Sequence, residues 1–173
     1  MIIILIGYMA SGKSTLGKLL AKKLHYKFID LDDYIEHEEG MPVKDIFKKK
    51  GELYFRKAET TYLNNIINKE NDVVLSVGGG TPCYGNNMDV ILQVSHVKSF
   101  YLKASLSHLV DRLKTKKSKR PLLSHLKTED ELKEFIGKHL FERSPYYDRA
   151  NYKILIDNKS KKEIIKELLN ALI

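Results

Sequence analysis

The chain opens with Ile2-Ile3-Ile4-Leu5-Ile6-Gly7-Tyr8-Met9-Ala10-Ser11-Gly12-Lys13-Ser14-Thr15. An apolar, β-branched run feeds directly into G-x-x-x-x-G-K-[ST], and Leu16, Leu19, Leu20 and Leu24 follow at the spacing of one helical face. Strand, loop and helix in that order are the context in which this motif holds phosphate. Gly7 and Gly12 let the backbone curl so that its N–H groups converge on phosphate oxygens. The helix that starts here adds the positive end of its dipole. Lys13 supplies a point charge for β and γ phosphates, and the Ser14 hydroxyl is a hard oxygen suited to Mg²⁺. The stretch predicts a nucleoside triphosphate site.

Outward from the loop, elements alternate strand and helix, which predicts a parallel sheet covered on both faces. Lys27 to Asp32 reads as a short second strand ending in carboxylates, with a helix from Asp33. Gly40-Met41-Pro42 breaks that helix, Val43, Ile46 and Phe47 mark a short amphipathic turn, and Gly51 precedes a longer helix holding Phe55, Tyr62, Leu63, Ile66 and Ile67. Asp72 to Val77 reads as a buried strand running into Gly78-Gly79-Gly80. A helix over Gly85 to Leu92, a strand over Lys98 to Leu102 and a helix around Leu106, Leu109, Val110 and Leu113 follow. Thr115 to Lys119 is polar and lysine-rich, the best candidate for a mobile lid. Thr128 with Glu131 predicts a capping box before a helix to about Phe141, and Ser160 with Glu163 another before the C-terminal helix. Lys153 to Ile156 is the fifth strand.

A chain of 173 residues fits one compact domain. At 43% hydrophobic and 30% charged residues it has the make-up of a soluble globular protein, and no apolar run reaches the length of a membrane span. A core strand from residue 2 leaves no room for a signal peptide. Cys83 alone excludes an internal disulfide, and no Cys/His cluster has zinc-ligand spacing. A cytoplasmic, monomeric protein is expected. The net charge of +8 suits either nucleic acid or small anionic ligands, and most of it is lysine on presumed helix surfaces. Only Arg56, Arg112, Arg120, Arg143 and Arg149 are arginines. A chain that uses lysine almost everywhere is expected to keep arginine where a flat, bidentate fork must meet carboxylate or phosphate.

Asp30 and Asp32 fall at the carboxyl end of the second strand, the edge where ligands gather in open parallel sheets. Alternation along an extended chain points both carboxylates the same way. A phosphotransferase needs one carboxylate near Mg²⁺ and another to orient and deprotonate the attacking hydroxyl; the plainer alternative is that both cap the helix from Asp33. Arg56 and Glu59, three apart, form either a helical surface pair or a carboxylate holding an arginine fork towards a substrate acid. Gly78-Gly79-Gly80 permits close backbone approach to a ligand or is a flexible turn, and Ser76 before it could hold a water on Mg²⁺. Arg120, before Pro121-Leu122-Leu123, is either an ordinary loop arginine or one that swings onto the transferring phosphoryl group.

Taken together, Gly-x-Met-x-Ser-Gly-Lys-Ser-Thr, Asp30-x-Asp32, Phe55-Arg56-x-x-Glu59, Gly78-Gly79-Gly80, Arg120-Pro121-Leu122-Leu123 and Arg143-x-Pro145-x-Tyr147 resemble shikimate kinases over essentially the whole chain. The resemblance implies a nucleoside monophosphate kinase-like P-loop fold with parallel strand order 2-3-1-4-5. It implies γ-phosphoryl transfer from ATP, with Mg²⁺, to the shikimate 3-hydroxyl, a step towards chorismate and the aromatic amino acids. It also implies acceptor-binding helices at about 32–62, a lid at about 115–126, and small-molecule partners only, with neither nucleic acid nor membrane. By motif position Ala10, Ser11, Gly12, Lys13, Ser14 and Thr15 would bind ATP with Arg112, Arg120 and Lys159. Ser14 would ligate Mg²⁺, with Asp30 and Ser76 acting through water. Asp32 would bind the shikimate hydroxyls as the base. Arg56 and Arg143 would grip the carboxylate beside Gly78, Gly79 and Gly80, and Lys13 and Arg120 would stabilise the transferring phosphate.

Two departures stand out. The family usually has Gly where this chain has Ala10, a change tolerated if the loop needs no positive φ there, and Arg149 matches no family role. The rival readings are a gluconate-type sugar-acid kinase, a nucleoside monophosphate kinase, and a non-catalytic nucleotide- or nucleic-acid-binding module.

Overall fold

Every residue of Ile2–Ile6 (β1) is buried, as a strand at the centre of a sheet covered on both faces must be. The computed structural model describes residues 1–115 and 121–173. Lys27–Asp30 (β2), Val73–Ser76 (β3), Val97–Lys103 (β4) and Tyr152–Leu155 (β5) complete a five-stranded sheet in the order β2-β3-β1-β4-β5. All four pairings are parallel. The fold class and strand order are those expected. The register sets Asp30 of β2 beside Ser76 of β3, and Ser76 in turn beside Leu5 of β1. The carboxyl ends of three neighbouring strands therefore meet where the phosphate loop begins.

The helices are Lys13–Leu24 (α1), Leu31–Glu39 (α2), Val43–Lys50 (α3), Glu52–Lys69 (α4), Asn87–Gln93 (α5), Leu106–Lys114 (α6), Glu129–Tyr147 (α7) and Lys161–Asn170 (α8). Short 3₁₀ turns lie at Thr81–Cys83 and Pro121–Leu123. Both expected capping boxes form, Thr128 with Glu131 at α7 and Ser160 with Glu163 at α8.

Two boundaries differ from the sequence reading in ways that matter for the site. Helix α2 starts at Leu31, not Asp33, because the Asp30 side chain accepts from the Asp32 N–H at 3.1 Å and caps the helix there. Asp32 is consequently a helical residue, and strand alternation does not set its direction. Helix α7 runs past Phe141 to Tyr147, taking in both Arg143 and Pro145. The helix continues because Tyr147 is fully buried in the core. Pro145 removes only the bond to the Phe141 carbonyl, on a residue that is 83% exposed. Of the lid expected at about 115–126, residues 116–120 lie outside the described residues; beyond them, Leu123 is fully buried.

Candidate active site

The loop from Gly7 to Thr15 is closed by its own groups. The Ser11 N–H donates to the Tyr8 carbonyl at 3.2 Å, and Lys13 Nζ donates to the carbonyls of Gly7 at 2.8 Å and Tyr8 at 3.0 Å. Gly12 has φ 93°, the left-handed conformation expected of it. Ala10 has it too, at φ 64°. The loop thus demands positive φ where this chain has a β-carbon, contrary to the condition on which the substitution looked harmless. One compensation is visible: Arg112 Nη1, from α6, donates to the Ala10 carbonyl at 2.9 Å.

Opposite the loop, the Ser14 hydroxyl donates to Asp30 Oδ2 at 2.7 Å while Asp30 Oδ1 caps α2. Asp30 is therefore both a cap and a partner of the phosphate loop. Asp32, one residue inside the helix, is not a cap. Burial foremost, and then the negative charges of Asp30 and Glu59, push its carboxyl up to about 6 against the opposing charge of Lys13.

Glu59, on α4, is 1% exposed and takes two hydrogen bonds, from Arg56 Nη1 at 2.6 Å and from the Thr81 hydroxyl at 2.6 Å. The Arg56 guanidinium lies over the Tyr84 ring, 4.0 Å from its centroid. Of the two readings of Arg56 and Glu59, a buried carboxylate holding a fork describes the arrangement. The three glycines explain themselves by what surrounds them. A β-carbon on Gly78 would stand 3.2 Å from Asp32 Oδ1 and from Glu59 Oε1. One on Gly79 would stand 3.3 Å from Arg143 Nη1, and one on Gly80 would strike Arg56 Nη1 at 2.7 Å. This turn is where Asp32, Arg56 and Arg143 converge. Cys83 stands nearby as a neutral thiol, pushed up to about 11 by burial.

A cleft of about 620 Å³ runs along the loop, lined among others by Lys13, Ser14, Asp30, Asp32, Ser76 and Gly79, and by Arg112 and Lys159. Lys159 spends its charge on Glu167, 2.7 Å from Oε1. Arg149 pairs with Asp89 of α5, so it too meets a carboxylate, one of the chain's own. Arg120 lies outside the described residues. Among the described residues no cluster of three His, Cys, Asp or Glu side chains could hold a metal, and no helix is long and apolar enough to cross a membrane. The sequence reading gave no role to Thr81, Tyr8 or His139. Thr81 carried a faint signal, as the residue straight after the three glycines, whereas nothing local marks His139.

The shikimate kinase family model matches residues 9–173. A shikimate kinase of Flavobacterium psychrophilum is 51% identical over 166 residues, covering 96% of this chain and 95% of that protein. The crystal structure of shikimate kinase from Bacteroides thetaiotaomicron superposes with a TM-score of 0.89 at 36% identity, over 99% of this chain and 97% of that one. That of the Acinetobacter baumannii shikimate kinase in complex with shikimate gives 0.85 at 30% identity, over 99% and 92%. Likeness of this extent takes in the phosphate loop, the three-glycine turn and α7 together, and the chain belongs to the shikimate kinase family.

Proposed function

We propose that this protein transfers the γ-phosphoryl group of ATP to the 3-hydroxyl of shikimate. The observation that carries the reading is the convergence of Asp32, Arg56 and Arg143 on Gly78–Gly80, at the same sheet edge as the phosphate loop. A small acid seated there presents its carboxylate to two arginine forks and a hydroxyl to Asp32. With a carboxyl group near 6, Asp32 is ionised at neutral pH yet basic enough to take a proton. As the hydroxyl oxygen bonds to the γ-phosphorus, its proton passes to Asp32, the bond to the β,γ-bridging oxygen breaks, and ADP leaves. Lys13 and Arg120 carry the charge that the transferring group spreads over its oxygens.

The hydroxyls of Ser14 and Ser76 and the Asp30 carboxylate are hard oxygens, few enough to suit an ion that keeps waters and nucleotide phosphates in its shell. Mg²⁺ bound there with ATP supplies charge neutralisation at the β and γ phosphates. Ala10 to Thr15 with Arg112 hold the nucleotide, and Lys159 borders the adenine end. We assign acceptor binding to the helices within 32–62, closure to the segment at about 115–126, and a monomeric state and cytoplasmic location to the protein, with no nucleic-acid or membrane partner.

An ADP-release assay with MgATP and shikimate, gluconate or AMP tests the proposal. Turnover with shikimate alone is expected. Turnover with another acceptor would overturn the roles of Arg56 and Arg143. A protein inert with all three, whose nucleic-acid affinity fell steeply with salt, would be a binding module.

A further inference from the structure

His139, Arg143 and Tyr147 are spaced by four on α7 and so share one face of that helix. Each meets a different part of the site. His139 Nδ1 lies 3.0 Å from the hydroxyl of Tyr8, a phosphate-loop residue only 1% exposed. The Arg143 guanidinium lies over the Tyr8 ring, 5.8 Å from its centroid. Tyr147, fully buried, donates its hydroxyl hydrogen to the Gly79 carbonyl, and the two side chains meet over that turn: a β-carbon on Gly79 would stand 3.3 Å from Arg143 Nη1 and 3.6 Å from the Tyr147 hydroxyl.

The two acceptor-side arginines are therefore held in opposite ways. Arg56 is ion-paired to buried Glu59. Among the described residues Arg143 makes no ion pair with a carboxylate, and its neighbours are an aromatic face and a phenol. A guanidinium fixed by neutral groups keeps its whole charge for an incoming anion, whereas one paired with a carboxylate has much of it cancelled already.

We propose that Tyr147 and Tyr8 are positioning residues that hold Arg143 in place without neutralising it, and so set the preference of the site for a carboxylate-bearing acceptor. The proposal rests on the reading of Arg143 as a carboxylate-binding residue. The Tyr147 hydroxyl, anchored on Gly79, stands beside the Arg143 guanidinium at the three-glycine turn, and His139 fixes the Tyr8 ring against which the guanidinium packs. Burial keeps the Tyr147 phenol in its protonated, donating form. Burial and the charge of Arg143 lower the His139 imidazole, which stays neutral and adds no second cation.

The test compares shikimate with its methyl ester, an acceptor of nearly the same shape without the charge, in steady-state kinetics with MgATP. For Tyr147→Phe, which keeps the ring and loses the hydroxyl, the KM for shikimate should rise by roughly 10-fold. The KM for ATP and the kcat at saturation should stay within about 2-fold, and the KM for the ester should hardly move. Tyr8→Phe should show the same pattern at about a third of the size, and it carries the test if Tyr147→Phe does not fold. Equal rises for acid and ester, or an unchanged shikimate KM, would overturn the proposal. Arg143→Ala separates the two layers. If it leaves the acid-over-ester preference intact, the reading of Arg143 itself has failed; if it abolishes that preference while the tyrosine variants keep it, only the positioning roles have failed.

Discussion

Arg56 Nη1 lies 2.6 Å from Glu59 Oε2, and Glu59 is almost completely buried while Arg56 retains some contact with solvent. Breaking such a pair from the carboxylate side strands a desolvated cation and the Thr81 hydroxyl together. Glu59→Ala should therefore lose about 3 kcal/mol of stability in urea denaturation, at the low end for buried pairs because Arg56 is partly wet. A loss below about 1 kcal/mol would class the pair with screened surface bridges.

Asp32 is held near 6 by burial and by its acidic neighbours. The base must be ionised to work, so kcat/KM should rise with pH through an acid limb near 6 and level off above it. Asp32→Asn should remove that limb and lower kcat by roughly 10²–10⁴-fold. A limb that survives the substitution would belong to another group. For stability the sign is the reverse of the usual carboxylate: a raised folded pKa means that ionised Asp32 weakens the fold above about 6, and the penalty vanishes as pH falls below the unfolded value near 3.8.

Ala10 sits at φ 64°. Glycine there relieves the left-handed strain and gives back part of the gain as unfolded-state entropy, so Ala10→Gly should stabilise the protein by about 0.5–1 kcal/mol. The KM for ATP should stay within about 2-fold. Ala10→Val, with a branched β-carbon in the same conformation, should destabilise it. Denaturation midpoints of the three proteins give the order directly.

A methyl group on Gly80 would lie 2.7 Å from Arg56 Nη1, so Gly80→Ala must displace the fork. The KM for the acceptor should rise by roughly 10-fold or more while that for ATP stays put. A matched rise in both would mean that the turn supports the whole cleft.

The strand order came only with the family resemblance, but the strands, the phosphate loop and both capping boxes were legible because each is a local pattern: a buried run, a glycine spacing, a Ser or Thr three residues before Glu. The end of α7 was not, since Pro145 reads locally as a stop and only the burial of Tyr147 carries the helix past it. Strand alternation was the wrong reason for the direction of Asp32, the strand giving way to helix one residue after Asp30, although both carboxylates line the cleft along the phosphate loop. Positive φ at Ala10 leaves no mark on an alanine. The Tyr8–His139 contact joins residues 131 positions apart and has no signature in either neighbourhood.

Strand β3 is four residues long and wholly buried. Ser76 ends it beside Asp30, and the three-glycine turn begins two residues later, so donor-side and acceptor-side groups hang from one rigid segment and open into the same cleft. A single inhibitor joining a nucleotide to a cyclic acid through a phosphate bridge would meet a spacing fixed by the sheet itself. Escape from such a compound by altering β3 would damage the middle of the fold. On α4 and α7, resistance would fall on the arginines that the natural acceptor also needs.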